Sequence, residues 1–389
     1  MNLKFNVLVI GGGSVGLTAA LAMTHRGYNV AVIDAGTLDV NNSYPDSRVY
    51  AINKASQIFL QQLDVWQHLD LQRVSPYTQM HVWDASNGMH IDFDSRYVAA
   101  PHLGVIIEES ALKQALLRQI AKQPKISLFP ECNVDEVHSV ADGVCVSNQQ
   151  QVWEGKLLMV ADGANSSVRQ KLNVELTHWS YKQHALVTTV AVEKTHNHTA
   201  YQVFNPDGPL AFLPLVDDHQ CSIVWSIDPI RVSQLMEFSE EKFNEAITKA
   251  FAKKLGQVSI IGARHQFPLQ MRHVKQYVGA RWLLLGDTAH TIHPLAGLGL
   301  NVGLADVCSW VKCLDATKGS LISKKALAAY QRERKYAVWQ IIALMEGFKR
   351  LFSNSFAPVV TLRGLGLGFC NECIPLKRLF IQHACGTAE

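Results

Sequence analysis

An excess of charge of either sign is missing: 36 Lys and Arg face 33 Asp and Glu, a formal net charge of +3. That balance lacks the basic field by which proteins hold nucleic acid, so no nucleic-acid partner is expected. Long hydrophobic runs are missing too. Hydrophobic residues make up 48% of the chain, yet charged residues, other polar residues or glycines interrupt every apolar run well short of the ~20 residues that span a bilayer. Any membrane contact is therefore expected to be peripheral. The cysteines show no framework spacing: Cys132, Cys145, Cys221, Cys308, Cys313, Cys370, Cys373 and Cys385 are scattered, as suits reduced thiols in a cytoplasmic protein. Cys370-x-x-Cys373 lacks a second pair and a βαβ setting, which argues against zinc or redox use. No basic segment leads into a cleavable apolar stretch at the N-terminus, so export is not expected. Internal repeats and low-complexity segments are absent as well. What the chain does have, over 389 residues, is length for two or three domains and apolar material for a sizeable core.

Three strand-to-helix junctions organise that length. An apolar strand from Asn6 to Ile10 precedes helical spacing from Val15 to His25, and a second apolar strand from Asn29 to Ile33 ends at Asp34, which together read as a βαβ unit. A second junction runs from the apolar Leu157 to Ala161 into Asp162-Gly163, with Asn165, Ser166 and Ser167 supplying helix-cap chemistry. In the third, Trp282 to Leu285 meets Gly286-Asp287 and a Gly-rich turn before a helix from Leu300 to Leu314. Between the second and third junctions, the runs from Leu186 to Val192, Thr199 to Phe204, Leu210 to Leu215 and Ser222 to Ile227 predict an inserted sheet, with one amphipathic helix from Glu240 to Leu255 against it. Trp225, Phe204, Phe212 and Tyr201 are candidate walls of an aromatic pocket in that sheet, or plain core. After Ser320 the chain reads as helical, basic and apolar, a region that either packs on the remainder or docks to a membrane or partner.

Gly11, Gly13 and Gly16 form G-x-G-x-x-G after a strand and opening a helix. There, missing Cβ atoms let the backbone approach a pyrophosphate at the helix's positive end. Asp34, 18 residues beyond Gly16, stands where a carboxylate accepts hydrogen bonds from a ribose. NAD and FAD both satisfy this much. The third junction favours FAD: Asp287 at a strand tip can hold ribityl hydroxyls, and Gly297, Gly299, Leu300 and Asn301 can present backbone N–H groups at a helix start to an isoalloxazine ring. His290 and His293 are spaced as a metal pair, but no third ligand lies nearby, so no metal is expected.

These segments resemble the ubiquinone-biosynthesis hydroxylases, flavin aromatic hydroxylases related to para-hydroxybenzoate hydroxylase. The resemblance covers nearly the whole chain. It rests on the first glycine loop with Asp34; Arg48-Val49-Tyr50-Ala51-Ile52; Leu103-Gly104 with Glu108; the run from Ala161-Asp162-Gly163 to Arg169; Phe267-Pro268-Leu269; and residues 286–301. It implies an α/β fold: a Rossmann-like FAD-binding domain at 1–72, 100–178 and 276–320, an inserted β-rich substrate domain at 73–99 and 179–275, and a helical C-terminal region at 321–389. It further implies that Arg48 and Glu108 line FAD, that Asp162 and Gly163 sit near the pyrophosphate and the NAD(P)H path, that Asp287 binds the ribityl chain, and that Pro294 and Leu298 border the flavin ring. Leu298 stands where the family usually has glutamine, and Thr288 and Tyr50 where smaller residues are common. The implied activity is hydroxylation of a polyprenylated phenol or quinol in ubiquinone biosynthesis, with FAD as cofactor and NADPH or NADH as transient reductant. The implied setting is cytoplasmic, with the C-terminal region meeting the inner membrane or a biosynthetic complex peripherally. A hydroxylase of a small soluble aromatic and a non-catalytic flavin-binding subunit share the same cofactor motifs.

Overall fold

The computed structural model describes residues 2–40, 46, 48–292 and 297–386, with Leu298 described by its backbone alone. Its helices are α1 (Ser14–Thr24), α2 (Lys54–Gln62), α3 (Glu109–Ile120), α4 (Ser167–Lys171), α5 (Pro229–Glu237), α6 (Glu240–Ala250), α7 (Leu298–Asp315), α8 (Lys324–Phe352), α9 (Ala357–Glu372) and α10 (Ile374–Ala384). The short β-branched runs form a five-stranded parallel sheet in the order Trp282–Leu284, Leu157–Val160, Val7–Ile10, Val30–Ile33 and Ile126–Phe129. The three central strands are wholly buried, as parallel strands covered on both faces must be. This order sets the C-terminal ends of Trp282–Leu284, Leu157–Val160 and Val7–Ile10 side by side. The three junctions therefore meet at one edge.

The expected inserted sheet is larger than its sequence pattern. It has nine strands, running from His290–Thr291 through His265–Val274, Leu176–Val192, Gln220–Ile227, Gly208–Pro214, Thr199–Asn205 and Gln79–Asp84 to His90–Asp94, with Val258–Ile260 paired to Leu176–Val192. Leu176–Val192 begins ten residues earlier than the apolar run suggested, because its register shifts between Ser180 and Gln183 and a polar stretch bridges the bulge. The predicted helix from Glu240 to Leu255 is α6, which ends at Ala250, and a separate helix, α5, precedes it. Asp228 caps α5 through Ile230 N–H, and Ser239 caps α6 through Lys242 N–H. Within 73–99, only the hairpin Gln79–Asp84/His90–Asp94 joins the large sheet. Val74–Tyr77 pairs instead with Gly104–Glu108, whose other partner is Val49–Asn53.

Alternation along the strands divides the large sheet into two faces. One buries Leu186, Leu210, Phe212 and Trp225 against Phe243, Ile247 and Phe251 of the α5–α6 side, and each such large side chain contributes roughly 1.5–3 kcal/mol. Three of the aromatic pocket candidates, Trp225, Phe212 and Tyr201, thus belong to this packed core. Phe204 lies on the other face and stacks on Phe352 with centroids 3.9 Å apart. The C-terminal helices pack mainly there too. The buried Arg363 of α9 donates from Nε to Asp84 Oδ2 at 2.6 Å and from Nη1 to Leu351 O at 2.6 Å, while Asn371 Oδ1 accepts from Asp92 N–H at 3.0 Å.

Candidate active site

The first glycine loop shows why each glycine stands where it does. Gly11 has φ +107, and a Cβ there would lie 2.2 Å from Ala161 O; one on Gly16 would lie 1.9 Å from Gly11 O. Gly11 therefore lets the turn form beside the second junction, and Gly16 lets α1 rest on its strand. Gly13 is different. A Cβ on it would meet no atom of the described residues within 4 Å, because the position opens on a cavity of about 310 Å³ at the N-terminus of α1. That cavity is walled by Gly13 and Asp34 on one side and by Asp162 and Gly163 on the other. Asp34 is held by Gly12 N–H at 2.5 Å and Gly36 N–H at 2.8 Å, leaving its carboxylate fixed at the rim. Exposed backbone at a helix start and a fixed carboxylate at a strand tip suit an adenosine diphosphate moiety such as that of FAD.

The second and third junctions are tied together by a residue the motif reading treated only as a departure. Thr288 Oγ1 accepts from Gly163 N–H at 3.0 Å and donates to Asp162 Oδ1 at 3.2 Å, a geometry that alanine would leave unmade. Arg169, buried, donates to Thr288 O at 2.9 Å and to Ala164 O at 3.0 Å, and Arg272 adds a bond to Ala164 O at 2.7 Å. Beside Thr288, Asp287 keeps an open face although protein encloses it closely. Burial raises its carboxyl above the usual range, opposed by His290, Arg48 and Arg272. Arg48 lies near enough to Asp287 for their charges to interact, over the Tyr50 ring at 5.3 Å and 3.6 Å from Glu109 Oε1. Tyr50 itself donates to Glu109 at 2.7 Å. Glu108 is held by neighbouring segments. Its carboxylate accepts from Arg73 Nε at 3.0 Å and from Asp46 N–H at 3.1 Å, which braces the strands beside Arg48.

Behind Asp287 lies a buried polar cluster that no motif announced. Asp306 of α7, fully buried, accepts from Gly286 N–H at 2.8 Å and Arg334 Nε at 2.6 Å, and bonds His290 Nε2 at 2.6 Å. Burial alone would raise the Asp306 carboxyl, but His290, Arg334 and their hydrogen bonds outweigh it and hold the group below the usual carboxylate range. One carboxylate therefore fixes the Gly286 turn and ties it to α8. His290 is committed to Asp306, and His293 lies outside the described residues. Across the strand pair from His290 stands His273, 2% exposed, whose Nε2 has no hydrogen-bond partner among the described residues. Burial, then His290 and Lys335, push its pKa down to about 4. Unfolded histidine titrates near 6.5, so the unfolded chain binds the proton first as pH falls. Stability is full above about pH 6.5 and is lost toward about pH 4, by up to about 3 kcal/mol. Urea unfolding at pH 7 and 4.5 should show a smaller acid loss in His273→Gln than in the parent.

At the start of α7, Gly297 takes the left-handed conformation, φ 61, and the Asn301 side chain donates to Ala51 O at 2.7 Å and Gly297 O at 3.3 Å. A helix N-terminus here favours negative charge, as a reduced flavin ring would bring. Pro294 and the side chain of Leu298 lie outside the described residues. Facing this turn is the open side of the large sheet. Val187, Ala211, Leu213 and Val224 remain partly accessible at the centre of the sheet, and Val187 and Val224 pack toward Ile292 and Val302. This is an apolar surface beside the third junction.

Residues 4–344 match the FAD binding domain family. The chain is 34% identical over 391 residues to the 3-demethoxyubiquinol 3-hydroxylase of Escherichia coli (strain K12), covering 99% of each chain. It is 31% identical over 441 residues to the mitochondrial ubiquinone biosynthesis monooxygenase COQ6 of Homo sapiens, covering 98% of this chain and 92% of that one. Among solved structures, p-nitrophenol 4-monooxygenase PnpA from Pseudomonas putida DLL-E4 superimposes with a TM-score of 0.80 at 18% identity, covering 100% of this chain and 99% of that one, a likeness of fold. The glycine cradle, the acid-tipped strands and these relatives agree: the chain belongs to the FAD-binding-domain family, in its ubiquinone-biosynthesis hydroxylase branch.

Proposed function

We propose that the protein hydroxylates the aromatic ring of a polyprenylated phenol or quinol in ubiquinone biosynthesis, as an FAD-dependent monooxygenase using O₂ and NADPH or NADH. The observation that carries the substrate reading is the accessible apolar strip of Val187, Ala211, Leu213 and Val224 beside Ile292 and Val302, which suits a ring with a hydrocarbon tail. Bound FAD supplies the redox and oxygen-transfer chemistry. The chain's own residues bind and orient. Gly11, Gly13, Gly16 and Asp34 hold the adenosine diphosphate half, Asp162 and Gly163 the pyrophosphate edge, Asp287 with Arg48 the ribityl chain, and Gly297, Gly299, Leu300 and Asn301 the flavin ring. The domain boundaries inferred from sequence are part of the same proposal, with the nine-stranded sheet excluding water over the ring.

Delivery of a lipid-like substrate also gives the C-terminal helices a purpose. Leu344, Phe348 and Leu351 of α8 and Leu362, Leu365 and Phe369 of α9 are exposed at helical spacing, with Arg350 and Arg378 nearby. Among the described residues no helix is long and apolar enough to cross a membrane, so contact with a bilayer or a pathway complex would be made from its surface. Deleting the gene should cause one quinone precursor to accumulate, identifiable by mass spectrometry. The unmutated gene should restore quinone, and Asp287→Ala should not. Unchanged quinone after deletion would sink the pathway assignment, and a soluble aromatic accumulating instead would replace the substrate.

A further inference from the structure

Asn53 closes the strand Val49–Asn53 and opens α2, and each of its polar groups engages a different element. Its backbone N–H donates to Asn301 Oδ1 at 3.0 Å, its Oδ1 accepts from Ser56 N–H at 2.9 Å, and its Nδ2 donates to Ala384 O at 3.2 Å, at the end of α10. A parallel bond joins the same two segments, from Ala55 N–H to Cys385 O at 3.0 Å. On the far side of Asn53, the Asn301 amide donates to Ala51 O and Gly297 O. Hydrogen bonds therefore run without a break from the end of α10, through Asn53, to the turn at 297–301. A Cβ on Gly297 would lie 3.0 Å from that of Ala51, so the turn and the strand end that Asn53 terminates are also in van der Waals contact. The α10 end of this path is set by apolar packing, with Ile381 and Cys385 buried against Leu103.

We propose that Asn53 is a positioning residue that couples the seating of α10 to the geometry of the 297–301 turn, and through it to the flavin. The coupling to the flavin rests on the assignment of that turn to the isoalloxazine ring. Whatever unseats α10 removes the acceptors of Asn53 Nδ2 and Ala55 N–H together. The strand end at Ala51 to Asn53 then loosens, and with it the two carbonyl and amide anchors of Asn301. Seating α10 does the reverse, so a surface that steadies the C-terminal helices also pre-organises the ring-binding turn.

Two substitutions in the full-length protein approach this path from opposite ends. Asn53→Asp keeps the acceptor for Ser56 and the N–H for Asn301 but loses the donor to Ala384. Ile381→Ala loosens α10 from its packed side and leaves Asn53 intact. Amide hydrogen exchange on the cofactor-free proteins is expected to quicken in α10 and, roughly threefold to tenfold, at residues 297–304 in both variants. FAD titrated into each should bind more weakly by a similar factor. Faster exchange confined to α2 and α10, with 297–304 unchanged in either variant, would overturn the coupling. Failure of the parent protein to bind FAD would overturn the cofactor assignment instead, and the exchange result would still decide whether α10 and the turn are linked.

Discussion

Alanine at Gly13 is expected to leave the cofactor-free protein within about 1 kcal/mol of its parent while weakening FAD binding on the order of a hundredfold, about 2.7 kcal/mol. The two effects separate because of where the added methyl goes. Gly13 has φ −78 and ψ 176, which any residue adopts, and its Cβ would meet no atom of the described residues. Only a pyrophosphate drawn against the start of α1 would collide with it. Gly16→Ala should behave otherwise. Its methyl would sit 1.9 Å from the Gly11 carbonyl oxygen, so α1 must move off its strand, and cofactor-free stability should fall by about 1–3 kcal/mol or more. Flavin fluorescence titration and urea unfolding of both variants check the pair. FAD binding by Gly13→Ala as tight as the parent's would place the phosphates elsewhere.

Asp306→Ala should be among the most damaging single changes outside the cofactor contacts, lowering stability by about 3–5 kcal/mol. The carboxylate is fully buried and serves three partners from three segments: Gly286 before the candidate ribityl ligand, His290 after it, and Arg334 of α8. Removing it strands the Arg334 guanidinium in the interior and frees the Gly286 turn. The double variant Asp306→Leu with Arg334→Leu should recover part of the loss, since no buried charge is then left uncompensated. Equal urea midpoints for parent and Asp306→Ala would show that the cluster contributes nothing to stability.

The three junctions were legible in the sequence because each is a local pattern: a short apolar strand, an acid or glycine at its tip, and helix spacing beyond. Gly11, Asp34, Asp162 and Asp287 needed no partner distant in the chain to be recognised. Thr288, Asp306 and Asn53 did. Thr288 bonds Gly163 125 residues away, and Asn53 reaches Ala384 331 residues on, with nothing in the intervening spacing to mark either. The partner of Glu108 was hidden in a related way, since its bond from Arg73 depends on a side chain from another segment. The aromatics of the inserted sheet show the limit of alternation. Period 2 puts Phe212 and Trp225 on opposite sides from Ala211 and Val224, yet only the placement of α6 decides which side is core.

The order of strands in the parallel sheet has a consequence for how the molecule is made. The edge strand Trp282–Leu284 pairs with Leu157–Val160, which in turn pairs with Val7–Ile10, so the site's three corners come from distant stretches of chain. Closing such loops is slow relative to local helix formation. During synthesis, Val7–Ile10 stays unpaired on one flank until Leu157–Val160 has left the ribosome, and Leu157–Val160 in turn waits for Trp282–Leu284 before the three corners can meet. Flavin supplied at that moment would capture the newly closed sheet and draw folding forward by mass action. Growth without flavin should accordingly yield more aggregated chain from this protein than from one whose cofactor loop is complete early.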